Sequence, residues 1–425
     1  MSLSTETLGP APPLDASPPG AITRALRTRV LERLRGLSEG HLEIADGSGS
    51  CEFGERGAPL HARVRVADPA FWRTVALGGS VGAAESYLDG GWDCDDLVAL
   101  VRILVRNRQL LDGLEGGGAA LAGALLRAAN ALRRNTLAGS RRNIAAHYDL
   151  GNDFFGLFLS QDLMYSSALW ADDPADTLER AQVRKLERIC GRLELGATDH
   201  VLEIGSGWGG FAIHAARHHG CRVTTTTISG EQARLARERV RAAGLADRVT
   251  VLVEDYRELR GRYDKLASIE MIEAIGAQYL ESYFAQLTRL LKPQGLALLQ
   301  AITIEDHRYQ QALRSVDFIK RHVFPGSFIP SIAAMLSAKA RVSDLALIDL
   351  HDFGPSYART LAAWRSRFLA RLAEVRAQGF DERFVRLWNF YLAYCEGGFR
   401  ERSIGVAQLT FARPGWRGAA AAPAA

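Results

Sequence analysis

The chain is short of cysteine and of charge of one sign, and it has no long apolar run. Its five cysteines, at 51, 94, 190, 221 and 395, show no CxxC and no Cys/His ligand spacing. That pattern indicates neither a disulfide framework nor a zinc site, so no metal is expected and the thiols read as small buried hydrophobes. The apolar runs fall well below the roughly 18 residues of a membrane span, and the N-terminus lacks a basic segment followed by an apolar one, which points to a cytoplasmic chain. With 52 Lys and Arg against 48 Asp and Glu, the net charge is only +4. A nucleic-acid partner would call for a stronger basic surface. No internal repeat is present. What the 425 residues do have is apolar content, 47%, enough for the cores of two or three domains.

Composition and periodicity divide the chain. Residues 1–20, rich in Pro, and 414–425, rich in Ala, are expected to be disordered. Residues 21–112 read as a small α+β domain: a helix, strands at His41–Ile44, Cys51–Phe53 and His61–Val66, then helices around Pro69–Leu77, Val81–Tyr87 and Leu97–Asn107. The first helix sets Ile22, Leu26, Val30, Leu34 and Leu37 on one face with Arg24, Arg27, Arg29, Arg33 and Arg35 around the rest. Two readings stay open for it: an ordinary solvated helix packed on its own domain, or one drawn to an anionic membrane surface. A second basic cluster, Arg133-Arg134 and Arg141-Arg142, borders the linker 113–140. Residues 141–413 alternate strands with helices, the pattern of a doubly wound, Rossmann-like α/β sheet.

The most informative stretch is Val201-Leu-Glu-Ile-Gly-Ser-Gly-Trp-Gly-Gly-Phe211, which reads as strand, glycine turn and helix start. Gly205, Gly207 and Gly209 permit positive φ and close approach of a ligand, and the helix N-terminus favours a carboxylate or phosphate. A plain tight turn uses the same glycines, so the triplet alone is a weak signal. The next strand, Cys221 to Ser229, ends in hydroxyls rather than the acidic residue that holds the ribose of NAD. Thr227, Ile228 and Gln232 are suited to neutral hydrogen bonds with ribose, and Asp255-Tyr256, after the strand Val249–Glu254, to facing an adenine. S-adenosylmethionine fits this set, its own carboxylate meeting the turn. Leu290-Leu-Lys-Pro-Gln-Gly295 supplies the helix-to-strand punctuation of class I methyltransferases.

Several further segments carry a specific resemblance: Arg141-Arg-Asn-Ile-Ala-Ala-His-Tyr-Asp-Leu-Gly-Asn-Asp153, Met164-Tyr-Ser-Ser-Ala-Leu-Trp170, Thr227-Ile-Ser-Gly-Glu-Gln232, Glu270-Met-Ile-Glu-Ala-Ile-Gly276, Phe324-Pro-Gly326 and Trp364-Arg-Ser-Arg-Phe368. Residues 141–413 resemble the cyclopropane fatty acid synthase family, which includes the mycolic acid methyltransferases. The first domain resembles the N-terminal domain of the longer bacterial synthases through Glu85-Ser-Tyr-Leu-Asp-Gly-Gly-Trp-Asp93. The resemblance implies a class I methyltransferase fold and C-methylation of the cis double bond of a phospholipid acyl chain through a carbocation. Loss of a proton from the new methyl then closes a cyclopropane or, after a hydride shift, leaves a methylene. About 1–2 kcal/mol between barriers decides which.

The resemblance also implies a bound bicarbonate as the base, held by Glu273, Tyr357, the backbone of Ile302, and Ser167 and Gln300 where the synthases carry Cys and His. Ser and Gln still donate to an oxyanion, but Gln300 cannot titrate. With Ala274 after the glutamate, this pattern is closer to the branch that makes mid-chain methyl or methylene fatty acids. The plain alternatives are a helix-surface carboxylate for Glu273 and a core tyrosine for Tyr357. Tyr165 and Ser166 are implied at the methionine end of the cofactor, Glu203 beside the turn and Ile269 on the adenine wall. Cys395 matches a cysteine considered catalytic in the family; attack by an alkene needs no covalent nucleophile, and a packing cysteine suits its surroundings better. His147 and Asp149 either close the site or cap a helix.

Apolar stretches Val316-Asp-Phe-Ile319 and Val323-Phe-Pro-Gly-Ser-Phe-Ile-Pro330 read as walls of an acyl tunnel that excludes water, or as a packed helical cap. The family implies phospholipid acyl chains as partners, a peripheral place on the inner membrane face, a homodimer, and a reductase partner for a methyl product. Two other functions stay open: a small-molecule or RNA methyltransferase, which would not need Glu273, Ile302 and Tyr357 together, and a non-catalytic lipid-binding relative.

Overall fold

Two sheets organise the chain in a computed structural model that describes residues 20–112 and 150–418. The expected linker, His147, Asp149 and the basic pairs at 133–134 and 141–142 lie outside the described residues, as do 1–19 and 419–425. The contacts define two compact units. One takes residues 20–112 with Arg314–Pro325 and Leu361–Ser403; the other takes 150–313, Gly326–Thr360 and 404–418. The units interleave along the sequence rather than following one another.

In the first unit, β1 (His41–Asp46) pairs antiparallel with β2 (Gly49–Gly54) and parallel with β3 (His61–Val66), and β4 (Trp92–Cys94) closes the order β2-β1-β3-β4. The strict in-and-out burial of β1 and β3 is the period of a half-buried sheet. The two helices expected after Pro69 form one kinked element, Ala70–Leu88, bent at Gly79 with φ 56°. The arginine-rich helix Ala21–Leu34 buries Val30, Leu31 and Leu34, while Ile22 stays 75% exposed. Arg27 turns inward, its Nε 2.6 Å from Asp46 and its guanidinium over the Trp72 ring. The C-terminal half of that helix is packed on its own unit.

Seven strands form the second sheet in the order β10-β11-β9-β8-β5-β6-β7. Five are parallel: β5 (His200–Ile204), β6 (Arg222–Thr227), β7 (Val249–Val253), β8 (Tyr263–Ile269) and β9 (Leu291–Ile304). The edge strand β10 (Ala346–Asp352) and β11 (Ile404–Ala412) run antiparallel to their neighbours. The Lys-Pro-Gln-Gly turn expected before β9 is a bulge inside it: Leu291 pairs Tyr263 and Leu296 pairs Lys265, so residues 292–295 loop out. β5 and β8 are buried almost end to end, as strands covered on both faces must be. From β5 the chain winds outward through β6 and β7, then returns to the other side of β5 with β8. That reversal opens a crevice at the carboxyl ends of β5 and β8, the place where such sheets bind ligands.

Of the expected tunnel segments, 316–319 belongs to the first unit, and 323–330 is divided between the two after Pro325. Phe318 lies on Phe390 at 4.8 Å between ring centroids, and Phe328 joins the core beneath β9. Among the described residues no helix is long and apolar enough to cross a membrane.

Candidate active site

At the carboxyl end of β5 the backbone takes φ of 98°, 47° and 84° at Gly205, Gly207 and Gly209, the left-handed region that only glycine enters freely. A Cβ on Gly205 would meet Met271 at 3.1 Å, so the side that glycine leaves bare faces the end of β8. Helix Gly210–His219 starts there without a side-chain cap, which leaves its first N–H groups for a carboxylate. At the end of β6, Thr227 Oγ1 donates to Gln232 Oε1 at 2.9 Å and accepts from the Ser229 N–H, which holds Gln232 in place beyond the partly buried Ile228. These residues fit a nucleoside with an amino-acid end.

Other expected cofactor residues are more committed to their neighbours. Asp255 receives Arg257 through Nε, Nη2 and the backbone N–H, so its carboxylate is already paired. Tyr256 packs edge-on to Tyr283 with its hydroxyl buried. Ile269 is buried at the end of β8. Tyr165 packs on Phe155, which packs on Trp208 of the glycine turn, so it stands beside that turn. Glu203 is buried inside β5; burial pushes its carboxyl up to about 8 against the pull of nearby Lys185.

The expected catalytic groups converge, but on a residue that sequence reasoning missed. Glu270 follows β8 with φ 49°, a strained position for a residue with a side chain, and its N–H donates to Gln300 O at 2.7 Å. Its carboxylate accepts from the Ser167 N–H at 2.9 Å, from Gln300 Nε2 at 2.8 Å and from the Tyr357 hydroxyl at 2.7 Å. Gln300 is itself oriented by Gln408, whose Nε2 donates to Gln300 Oε1 at 3.0 Å. The Ser167 hydroxyl does not join them; it donates to Ala168 O. Glu273 lies on the short helix Ile272–Ala274 and accepts from the Ile302 N–H at 2.6 Å, with its second oxygen buried and without a hydrogen-bond partner among the described residues. Burial and the neighbouring Glu270 push the Glu273 carboxyl up to about 8, and burial raises Glu270 too.

A second missed residue supports this arrangement. Lys185, fully buried on helix Leu178–Arg192, donates to Ser166 Oγ at 2.8 Å, and desolvation lowers it to about 8. One turn earlier Gln182 donates to Ser166 O at 3.0 Å. The segment Tyr165-Ser166-Ser167 is thereby anchored from below by a helix and from the side by Glu270.

A model of the family described as mycolic acid cyclopropane synthetase matches residues 136–409. The chain belongs to that family. It is 36% identical over 94% of its length to tuberculostearic acid methyltransferase UfaA1 of Mycobacterium tuberculosis, covering 93% of that protein. It is 38% identical over 83% of its length to the cyclopropane-fatty-acyl-phospholipid synthase of Escherichia coli, covering 88% of it. Among solved structures, the cyclopropane synthase MmaA2 of M. tuberculosis superposes with a TM-score of 0.60 at 28% identity, over 64% of this chain and 98% of that one. Family and fold make the chain a class I S-adenosylmethionine-dependent methyltransferase.

Cys395 belongs to the other compact unit. It lies on helix Glu382–Arg400 in the first unit, half-buried, and burial together with Asp317 pushes its thiol far up. A nucleophilic cysteine needs the opposite shift.

Proposed function

We propose that this methyltransferase alkylates the cis double bond of an unsaturated phospholipid acyl chain and that Glu270 is the base. The π electrons of the alkene attack the methyl carbon of S-adenosylmethionine, the carbon–sulfur bond breaks with its pair passing to sulfur, and a carbocation forms on the adjacent chain carbon. Glu270 then takes a proton from the new methyl group, and the released pair closes a ring or, after a hydride shift, forms a methylene.

The observation that carries this reading is the convergence of Ser167, Gln300 and Tyr357 on the Glu270 carboxylate. The bicarbonate implied by resemblance does not fit. Among the described residues its expected donors Ser167, Gln300 and Tyr357 are taken by a protein carboxylate, and an added anion would lie beside the raised carboxyl groups of Glu270 and Glu273. Burial raises both carboxyl groups, Glu273 to about 8, and Glu270 is the one that meets three hydrogen-bond donors. One relative that matches over 94% of the chain is a tuberculostearic acid methyltransferase, which favours a mid-chain methyl-branched product over a ring; a methylene formed here would then need a reductase. The lipid would present its chain from a bilayer surface.

The test is incubation with S-adenosylmethionine and oleoyl phospholipid vesicles in bicarbonate-depleted and bicarbonate-supplied buffer, with acyl products read by mass spectrometry and NMR. Gain of one carbon at the same rate in both buffers, with vinylidene protons, is expected. High-field cyclopropane protons would move the product to the ring, and a rate that follows bicarbonate would remove Glu270 from the role of base.

A further inference from the structure

Outside the site, helices Leu178–Arg192 and Gly210–His219 bring together three side chains that the proposed reaction does not use. Cys190 Sγ and ring nitrogens of His214 and His219 lie within 4.8 Å of one another. Glu187, one turn before Cys190, has its carboxylate oxygens 2.8 Å from His214 Nε2 and 3.4 Å from His219 Nε2. Neither contact has hydrogen-bond geometry, and both Nε2 atoms are buried without a hydrogen-bond partner among the described residues. His214 is only 8% exposed. Two imidazole rings and a thiol within that 4.8 Å, with a carboxylate beside both rings, are the donor types that a divalent metal takes.

We propose that Cys190, His214 and His219 bind a zinc-class divalent ion, with Glu187 or water as the fourth ligand. Bonds of about 2.0–2.3 Å in a tetrahedron place donors roughly 3.3–3.8 Å apart, so binding draws the three atoms inward by about 1 Å at most. The Cys190 thiol gives its proton to solvent as the sulfur–metal bond forms. The role follows from what the two helices carry: one has Cys190 in its last turn and bears Gln182 and Lys185, which hold Ser166, and the other begins at the glycine turn. A metal there would pin together the supports of the cofactor crevice. The ligands come from two helices, with Cys190 and His214 standing 24 positions apart, so no short spacing announces them.

The experiment uses the full chain purified without a histidine tag, stripped of metal and loaded with Zn²⁺ or Co²⁺. Expected are one ion per chain by native mass spectrometry, a thiolate-to-cobalt charge-transfer band in the near ultraviolet, and a zinc-dependent rise in Tm of about 5 °C or more. C190A should lose the charge-transfer band. H219Q, at a half-buried helix end where folding is safe, should weaken binding at least tenfold while S-adenosylmethionine still binds. A cobalt complex without the thiolate band, zinc binding unchanged in H219Q, or no ion retained by the parent chain would overturn the proposal.

Discussion

Charged side chains are handled differently at two places in the molecule. In the first unit, Arg386, Asp46 and Glu401 are each answered by several partners. Arg386 donates to Tyr87 O at 2.5 Å and Trp92 O at 2.7 Å, reaches Asp93 and lies 3.9 Å from the centre of the Tyr87 ring. Asp46 takes Arg27 and the Trp72 N–H, and Glu401 takes Arg102 and Arg106. In the second unit, Glu203, Glu273 and Lys185 are buried with few partners, and all three are shifted to about 8. Paired ions hold a structure together; under-paired ones cost stability and persist where protons must be held near neutrality.

The largest effect that would break this contrast is expected at Glu270. Glu270→Gln should lower methyl transfer on the order of 1,000-fold, the scale of a lost general base, with S-adenosylmethionine affinity by calorimetry unchanged. Activity within tenfold of the parent would return Glu270 to a structural part. Next comes Arg386→Ala, expected to cost about 3 kcal/mol in urea unfolding because it orphans two buried carbonyls and Asp93. Its turnover per folded molecule should stay level.

Glu203 tests the cost of an under-paired carboxyl. Folded, it keeps its proton up to about 8, whereas the unfolded chain releases it near 4.5. Between those values the folded state binds the extra proton, so this group lowers stability increasingly as pH rises from about 4.5 to about 8. Glu203→Gln should therefore gain on the order of 2 kcal/mol more at pH 7.5 than at pH 5, read from urea midpoints; equal gains at both would show an ordinary carboxylate. The smallest effect is expected for Tyr357→Phe, about tenfold in rate. Its hydroxyl stabilises ionised Glu270, so the acid limb of the pH–rate profile should move to higher pH.

The glycine turn and the hydroxyl-ended β6 were legible because each rests on local conformation, whereas Glu273 and Ile302 were named as separate holders of an anion and in the structure bond to each other. Glu270 was not legible. Standing three residues before Glu273, it reads as one more acidic residue after a strand, and only the apolar Ala267-Ser-Ile269 before it hints at burial. Lys185 was hidden as one basic residue of an amphipathic helix. Tyr357, Gln300 and Ser167 were placed together by resemblance, but their target could not be read, since Ser167 contributes its backbone N–H rather than its hydroxyl.

By itself the sequence determined the doubly wound sheet, the glycine turn at its switch point and the family, because hydrophobic period, positive-φ glycine and motif order are properties of neighbouring residues. Tertiary structure alone decided which carboxylate the donors meet, which cysteine lies near two histidines, and which stretches of chain share a compact unit. Those depend on side chains distant in sequence meeting in a low-dielectric interior, where the identity of the neighbour sets each group's protonation.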